Sequence, residues 1–374
     1  MPSIVTEKAW SEIRRLCASS LDAWTLRAKA MPHLQKLVPF DCAWWATADP
    51  ATLLATGGVS EHIPEKASAL FLRNELLHDD VNKFGWLGRQ PRPVNTLYAA
   101  TRGNPERSPR YRDILRPFGM GDELRVALRD GGLCWGYICL HRSLKARPFA
   151  DDETSLLHRM QPLFAAGLRN ALLLGDRPPP GRAEPPAVVT LADDLSVVNM
   201  TPNAAALLDE LRDSPPGPSA SQAVRSVAVG LLARERGATE DFGPSPRLRV
   251  RTCARRWLTV HALRLSGFER RGEIAVVLER ARLEEMAPLL LSAYGLTERE
   301  RGVALFAIRG MSNKAIARAL SVAPLTVQQH LKAVFEKTCV HSRGELRARV
   351  MAEFASTPRA AAPKVSHSSV DWRA

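Results

Sequence analysis

The stretch 296-LTERERGVALFAIRGMSNKAIARALSVAPLTVQQHLKAVFEK-337 decides the fold of the C-terminal part of the chain. Thr297 and Glu300 have the spacing of a capping box, in which each side chain takes the other residue's free backbone N–H. Val303, Phe306 and Ala307 then fall on one helical face, and Gly310 suits the residue just past a helix end. Ser312 is placed to cap a second helix, "NKAIARAL". Three residues, "SVA", turn the chain into a third helix that opens on Pro324, a residue pre-set for the first helical position. Val327, Leu331, Val334 and Phe335 recur at i, i+4, i+7 and i+8, which predicts one buried face. Ser342 and Glu345 form a second capping box, opening a fourth helix. Two short helices joined by three residues and followed by a longer one is helix-turn-helix spacing. The third helix leads its polar side with Gln328, Gln329 and Lys332. Glutamine can pair bidentately with adenine, and lysine can reach guanine or a phosphate.

These residues resemble the LuxR-type helix-turn-helix of bacterial transcription regulators. That family follows a pattern close to L-T-x-R-E-x-E-V, G-x-S-N-K-x-I-A, S-x-x-T-V-x-x-H-L-K and K-x-x-V-x-x-R-x-E-L. By resemblance, Gln328, Gln329 and Lys332 occupy the major-groove positions. Ser312, Asn313, Lys314 and Thr326 occupy positions that contact phosphates or brace the turn. His330 either contacts a phosphate or packs at the core edge. The sequence departs from the pattern at Gly302, where a mid-helix glycine costs about 1 kcal/mol against alanine. It departs again at Ala323, where the lost cap costs roughly 0.5–2 kcal/mol, and at Gln328, which replaces a frequent lysine. The resemblance implies double-stranded DNA as partner, a homodimer on inverted half-sites, and RNA polymerase as a candidate partner.

The bulk numbers agree with a polyanionic partner. The chain has 374 residues, 45% hydrophobic and 24% charged, with a formal charge of +13. Residues 289–356 carry ten Lys or Arg against five Asp or Glu, enough to hold phosphates. An arginine-rich coding bias would give the same overall charge, so charge alone does not decide. Six scattered cysteines with no Cys-x-x-Cys or zinc spacing predict ordinary thiols and no metal site. An N-terminus without an apolar core region and the lack of an 18-residue apolar run predict a cytoplasmic protein without membrane contact; that the cytoplasm is bacterial is implied by the resemblance.

Upstream, the expected fold class is α+β multidomain. The predicted division is 1–174, a sensor with N-terminal helices; 175–186, a proline-rich linker; 187–281, a smaller module; 282–295, a connector helix; 296–355, the all-α four-helix domain; and 356–374, a disordered tail. In the first module "CAWWATA" (42–48) and "TLLATGG" (52–58) read as strands. "ELRVALRD-GG-LCWGYICLHR" reads as a hairpin around Asp130-Gly131-Gly132, and 151–174 as a long helix. The hairpin and that helix resemble a GAF module. In the second module Thr201 is expected to cap a helix beginning at Pro202. The strand order and "RWLTVHALRL…IAVVLE" resemble a PAS module. No five-fold βα repeat of a receiver domain is present.

Trp44, Trp86, Trp135 and Tyr137 are candidates for lining a small-molecule pocket; ordinary core packing is the alternative. Asp79-Asp80 read as a solvated turn or cap. No activated nucleophile, paired catalytic carboxylate or phosphate loop stands out, and no cofactor is implied. The leading function is therefore a regulator that senses a small molecule or protein partner, not an enzyme. The alternative is a nucleotide or ester hydrolase fused to a DNA-binding domain.

Overall fold

The computed structural model describes residues 4–173, 185–211, 221–237, 246–254, 256–266 and 271–354. The segments 175–186, 213–220 and 242–247 and the tail 356–374 lie wholly or mainly outside the described residues.

Two helices come first, α1 (Ile4–Ala18) and α2 (Ala23–Leu37), the second capped by Asp22. A sheet follows, made of β1 (Cys42–Ala48), β2 (Ala55–Glu61), β3 (Val94–Thr96), β4 (Met120–Asp130) and β5 (Leu133–Ser143). Between β2 and β4 run α3 (Glu65–Leu77), α4 (Phe84–Leu87), α5 (Leu97–Ala100) and a π-helical turn at Tyr111–Leu115. The helix α6 (Asp151–Leu173) comes after β5. The strands are antiparallel in the order β2-β1-β5-β4-β3. The β4–β5 turn works because Gly131 (φ +58°) and Gly132 (φ +81°) both accept the left-handed conformation that a two-residue hairpin demands. On one face, Trp45, Leu124, Val126, Ile138 and Leu140 bury themselves against α1, α2 and α6, with Trp45 edge-on to Phe164 at 4.7 Å.

The second sheet repeats this serial order. It contains β6 (Ala187–Leu191), β7 (Val197–Met200), β8 (Arg247–Arg251), β9 (Trp257–Ser266) and β10 (Arg271–Arg280), ordered β7-β6-β10-β9-β8. The helices α7 (Pro202–Glu210) and α8 (Gln222–Glu235) lie between β7 and β8 in sequence. Alternation along β9 sends Leu258, Val260 and Ala262 into the core that α8 covers. It sends Trp257 the other way, into the core of the first sheet.

Five helices complete the described chain: α9 (Leu283–Ala293), α10 (Glu298–Ile308), α11 (Asn313–Leu320), α12 (Pro324–Thr338) and α13 (Arg343–Phe354). The expected α+β modules and the all-α C-terminal region are both present. No helix among the described residues is long and apolar enough to cross a membrane.

Three local expectations are corrected. The strand expected from Thr52 starts at Ala55, because Asp49 draws 49–53 into a turn. Its Oδ1 accepts from Ala51 N–H, its carbonyl from Thr52 and Leu53, and Leu53 takes φ +60°. Thr201 stands at the start of α7, but its hydroxyl caps no α7 N–H; it binds Asn203 Oδ1 at 2.7 Å and accepts from Val188 N–H instead. Asp80 is no solvated turn, since its carboxylate is fully buried against Arg110.

Candidate nucleic-acid interface and sensing face

The C-terminal helices are set by the local chemistry expected of them. Thr297 Oγ1 accepts from Glu300 N–H at 3.3 Å, and Glu300 Oε2 accepts from Thr297 N–H at 2.7 Å. Ser312 Oγ accepts from Ala315 N–H. The turn between α11 and α12 closes with Ser321 in the left-handed region, φ +54°. Val303, Ala307, Ile316, Ala317, Val327 and Leu331 form the core between α10, α11 and α12.

Two polar ties brace these helices, one between α10 and α12 and one between α13 and the start of α11. Lys337 Nζ lies 2.7 Å from Glu300 Oε2. Burial would raise the Glu300 carboxyl, but Lys337 and the Thr297 N–H outweigh it and hold the group below its ordinary value. Arg343, at the start of α13, donates to Met311 O and to Asn313 Oδ1. Ser342 caps α13 through Glu345 N–H, while the Glu345 carboxylate takes the N–H of His341 rather than that of Ser342.

This framework leaves Gln328, Gln329 and Lys332 exposed on one side of α12. Ser312 and Lys314 are also exposed, whereas Thr326, His330 and Asn313 are half-buried. The Asn313 carbonyl oxygen is already occupied by Arg343, so its amide NH₂ is what remains to meet a phosphate. Beside this face runs an open groove of about 740 Å³, lined by Gln328, Lys332, Phe335, His341 and Arg343 among others. Ala323 takes the extended N-cap conformation (φ −73°, ψ 147°) without any side-chain cap bond. Arg343 stands at the fixed arginine of the K-x-x-V-x-x-R-x-E-L pattern, but the sequence reading gave it no role.

The face of the first sheet turned away from α6 carries the module's other chemistry. Trp44 and Tyr137 both approach Phe84, at 5.6 and 4.6 Å between ring centroids, and the Arg125 guanidinium sits 4.4 Å from the Phe84 ring centre. Gly58 makes room for the Trp44 indole, since a Cβ there would come within 2.4 Å of Nε1. Trp135 does not join them. A bulge at the Leu128–Arg129 register break slips the alternation by one, so Trp135 packs into the α6-side core while Tyr137 faces the opposite way. Trp86, on α4, is half exposed. The four aromatic candidates therefore do not converge on one pocket.

Next to the aromatic group lies a buried ionic cluster. Glu123 Oε2 receives Arg110 Nη2 at 2.7 Å and lies 2.9 Å from Arg125 Nε. Arg125 reaches Glu75 at 2.6 Å. Asp80 accepts from the Arg110 backbone N–H and from Ser108. Burial alone would raise the Glu123 carboxyl, but the two guanidinium groups overcome it and hold it far below the carboxylate range. Burial drives His141 down to about 4 and, with Glu123 beside it, pushes the Cys139 thiol up. Glu123, Cys139 and His141 bring three metal-capable atoms within 4.8 Å of one another. Two guanidinium charges already share that carboxylate, so an incoming cation would meet them head-on. The cluster acts as an ionic core. Its sequence signal was two charges, Glu123 and Arg125, at same-face spacing inside a strand otherwise rich in apolar residues.

The two sheets are joined by a second polar group. Asp49 accepts from Arg249 N–H, Nε and Nη2 at 2.8, 2.9 and 2.6 Å. Arg249 Nη1 donates to Glu285 O at the start of α9. The Glu285 carboxylate takes Arg247 at 2.9 Å and Thr259 at 2.8 Å. Arg251 donates to Leu172 O, near the end of α6.

Residues 295–350 match the family model described as bacterial regulatory proteins, luxR family, and residues 33–167 match the GAF domain model. The chain thus carries a LuxR-family DNA-binding domain and, upstream of it, a GAF domain. A comparison with curated proteins returns no match. Among solved structures, SdiA of Escherichia coli is 10% identical, covering 93% of this chain and 97% of its own, with a TM-score of 0.31. The VqsR LBD domain from Pseudomonas aeruginosa is 14% identical over 46% of this chain and all of its own, at 0.31. The phage VqmA–DPO complex is 18% identical over 50% and 89%, at 0.24.

Proposed function

We propose that this chain is a cytoplasmic, homodimeric transcription regulator that binds specific DNA sites through α12 and adjusts that binding to a small-molecule or protein signal. The observation that carries the reading is the division of α12 into two faces. Val327, Leu331 and Val334 are buried, and Gln328, Gln329 and Lys332 stand exposed on the outside. In this reading the two glutamines and Lys332 meet base edges. Ser312, Asn313, Lys314, Thr326 and His330 meet or brace the phosphate backbone. RNA polymerase is the downstream partner.

The first module is the sensor, and Trp44 and Tyr137, which share the Phe84 contact, are the aromatic residues best placed to report on a ligand. We read the second sheet as PAS-like on its strand order. The hydrolase alternative gains nothing from the chemistry of the first module. Glu75, Asp80 and Glu123 are each paired with a guanidinium group, and the Cys139 thiol is pushed away from its reactive form.

Selection of bound duplexes from a random pool, followed by anisotropy titrations at several salt concentrations, tests the assignment. Gln329→Ala should relax the preference at one base pair, at about 1–3 kcal/mol of discrimination. Lys314→Ala should weaken all sequences alike and lower the salt slope by about 1. Equal affinity for all duplexes, or none for any, would refute it.

A further inference from the structure

Leu325 is 65% exposed, the highest value among the exposed large apolar side chains of the described residues. It is the second residue of α12 and belongs to no hydrophobic cluster. A single exposed leucine ordinarily needs no explanation; its direction here does. At about 100° of rotation per residue, taking Gln328 as zero, Lys332 stands at about 40°, Leu325 at about 60° and Gln329 at about 100°. The buried Val327, Leu331 and Val334 stand at about −100°, −60° and −120° on the same scale. Leu325 therefore points from the middle of the sector that holds Gln328, Gln329 and Lys332, almost opposite the core.

The residues before it extend this apolar tip. Ala323, Pro324 and Leu325 are consecutive and all exposed, and Ala323 replaces a hydroxyl cap with a methyl group. This tip has nothing to offer a phosphate by way of side chain. What it matches is the one apolar group displayed in the major groove, the C5-methyl of thymine. A glutamine beside it suits adenine, whose partner on the other strand is thymine, so an A·T-containing step offers both groups to one turn of helix.

We infer that Leu325 is a specificity-determining residue that selects a thymine methyl next to the base pair read by Gln328 or Gln329. The inference rests on the proposed reading of α12 as the base-contacting helix. Its test uses the full chain and the duplex enriched from a random pool. Each thymine of a half-site is replaced in turn by uracil, which removes the methyl and leaves the hydrogen-bonding edge intact. One replacement should weaken binding by the wild type about fourfold, the worth of one buried methyl-sized group. Leu325→Ala should bind the uracil and thymine duplexes equally. Because the side chain is exposed and unpacked, this variant should unfold at the wild-type urea midpoint. If all thymine-to-uracil replacements are neutral, or if Leu325→Ala keeps the fourfold preference, the inference fails while the DNA-binding reading stands. If no sequence is enriched at all, that reading fails and takes the inference with it.

Discussion

Replacing Asp49 by alanine removes the anion at the centre of the contact between the two sheets. The side chains of Asp49 and Arg249 are 1% and 11% exposed. Once the carboxylate is gone, the Glu285 carbonyl is the acceptor left to the guanidinium. Removing one member of a buried pair costs about 3–5 kcal/mol, and the small exposure of Arg249 places this site near the lower end. The chain has a way to limit the loss. If the second sheet swings away from the 49–53 turn, Arg249 regains water, so the cost cannot exceed the free energy of docking. The expected result is undocking and not unfolding. Hydrogen exchange reads the difference. Amides of the 49–55 turn and of the first turn of α9 should exchange at least 30-fold faster, the equivalent of about 2 kcal/mol, with those of β4 and β5 unchanged. Asp49 also holds the Ala51 N–H, so Arg249→Ala, which leaves that turn intact, must give the same pattern. In the double variant the two effects must not add, with a coupling of about 2 kcal/mol or more. Acceleration spread evenly over β4 and β5, or strictly additive single variants, would refute the reasoning.

Ala323→Ser should stabilise the C-terminal domain by about 1 kcal/mol and slow exchange at Thr326, because the backbone already has the N-cap conformation and lacks only the acceptor; an unchanged urea midpoint would count against it. Gly302→Ala should add about 1 kcal/mol, since a Cβ there meets nothing nearer than Leu320 Cδ2 at an ordinary 3.7 Å; a lower midpoint would show a contact that this geometry lacks. The Asp122 carboxyl, 2% exposed, is pushed up to about 6, chiefly by burial. A folded pKa above the unfolded one means stability that is present below about pH 4 and lost as pH rises through 6. Relative to Asp122→Asn, the wild type should therefore gain about 2 kcal/mol between pH 7 and pH 4 in urea titrations, and a difference that does not move with pH would exclude the shift.

What the sequence reveals follows the range of the interactions. The capping box of Thr297 and Glu300 spans four residues, and the hairpin turn at Gly131 and Gly132 two. Both were legible because the partners and the backbone demand sit within one turn of chain. The two faces of β9 were legible for the same reason, through alternation. The sequence leaves open whether Trp135 lines a pocket or packs in the core, because a single bulged residue reverses that alternation and no residue type announces the bulge. Gly136 is its nearest trace: a Cβ there would come within 2.3 Å of Ala46 O, a constraint that exists only once β1 lies beside β5. Asp80 read as solvent-facing because its partner, Arg110, lies thirty residues on. The contact of Asp49 with Arg249 spans two hundred residues, beyond any local pattern. Charge in a strand or loop is legible as charge, but its burial depends on a partner that the chain brings back from far away.

The same distant contacts explain how a change in one module can reach the other end of the chain. The helix α9 packs against α6, α10 and α13, and Met286, Leu289, Leu290 and Leu291 belong to the core that also holds Trp45, Trp257, Leu346 and Val350. Its first turn is gripped by β8 and β9 through Glu285, and β8 is gripped in turn by the β1–β2 connection through Asp49. Gly295, at φ +68°, lets the chain leave α9 and enter α10 within a few residues. A shift of β8 against the first sheet must therefore either break the bonds of Arg249 or drag the start of α9 with it. Because α9 shares a close-packed core with α10 and α13, it cannot move far without carrying them along. The position of the exposed face of α12 is in that sense set by a contact made between two sheets far upstream of it in the chain.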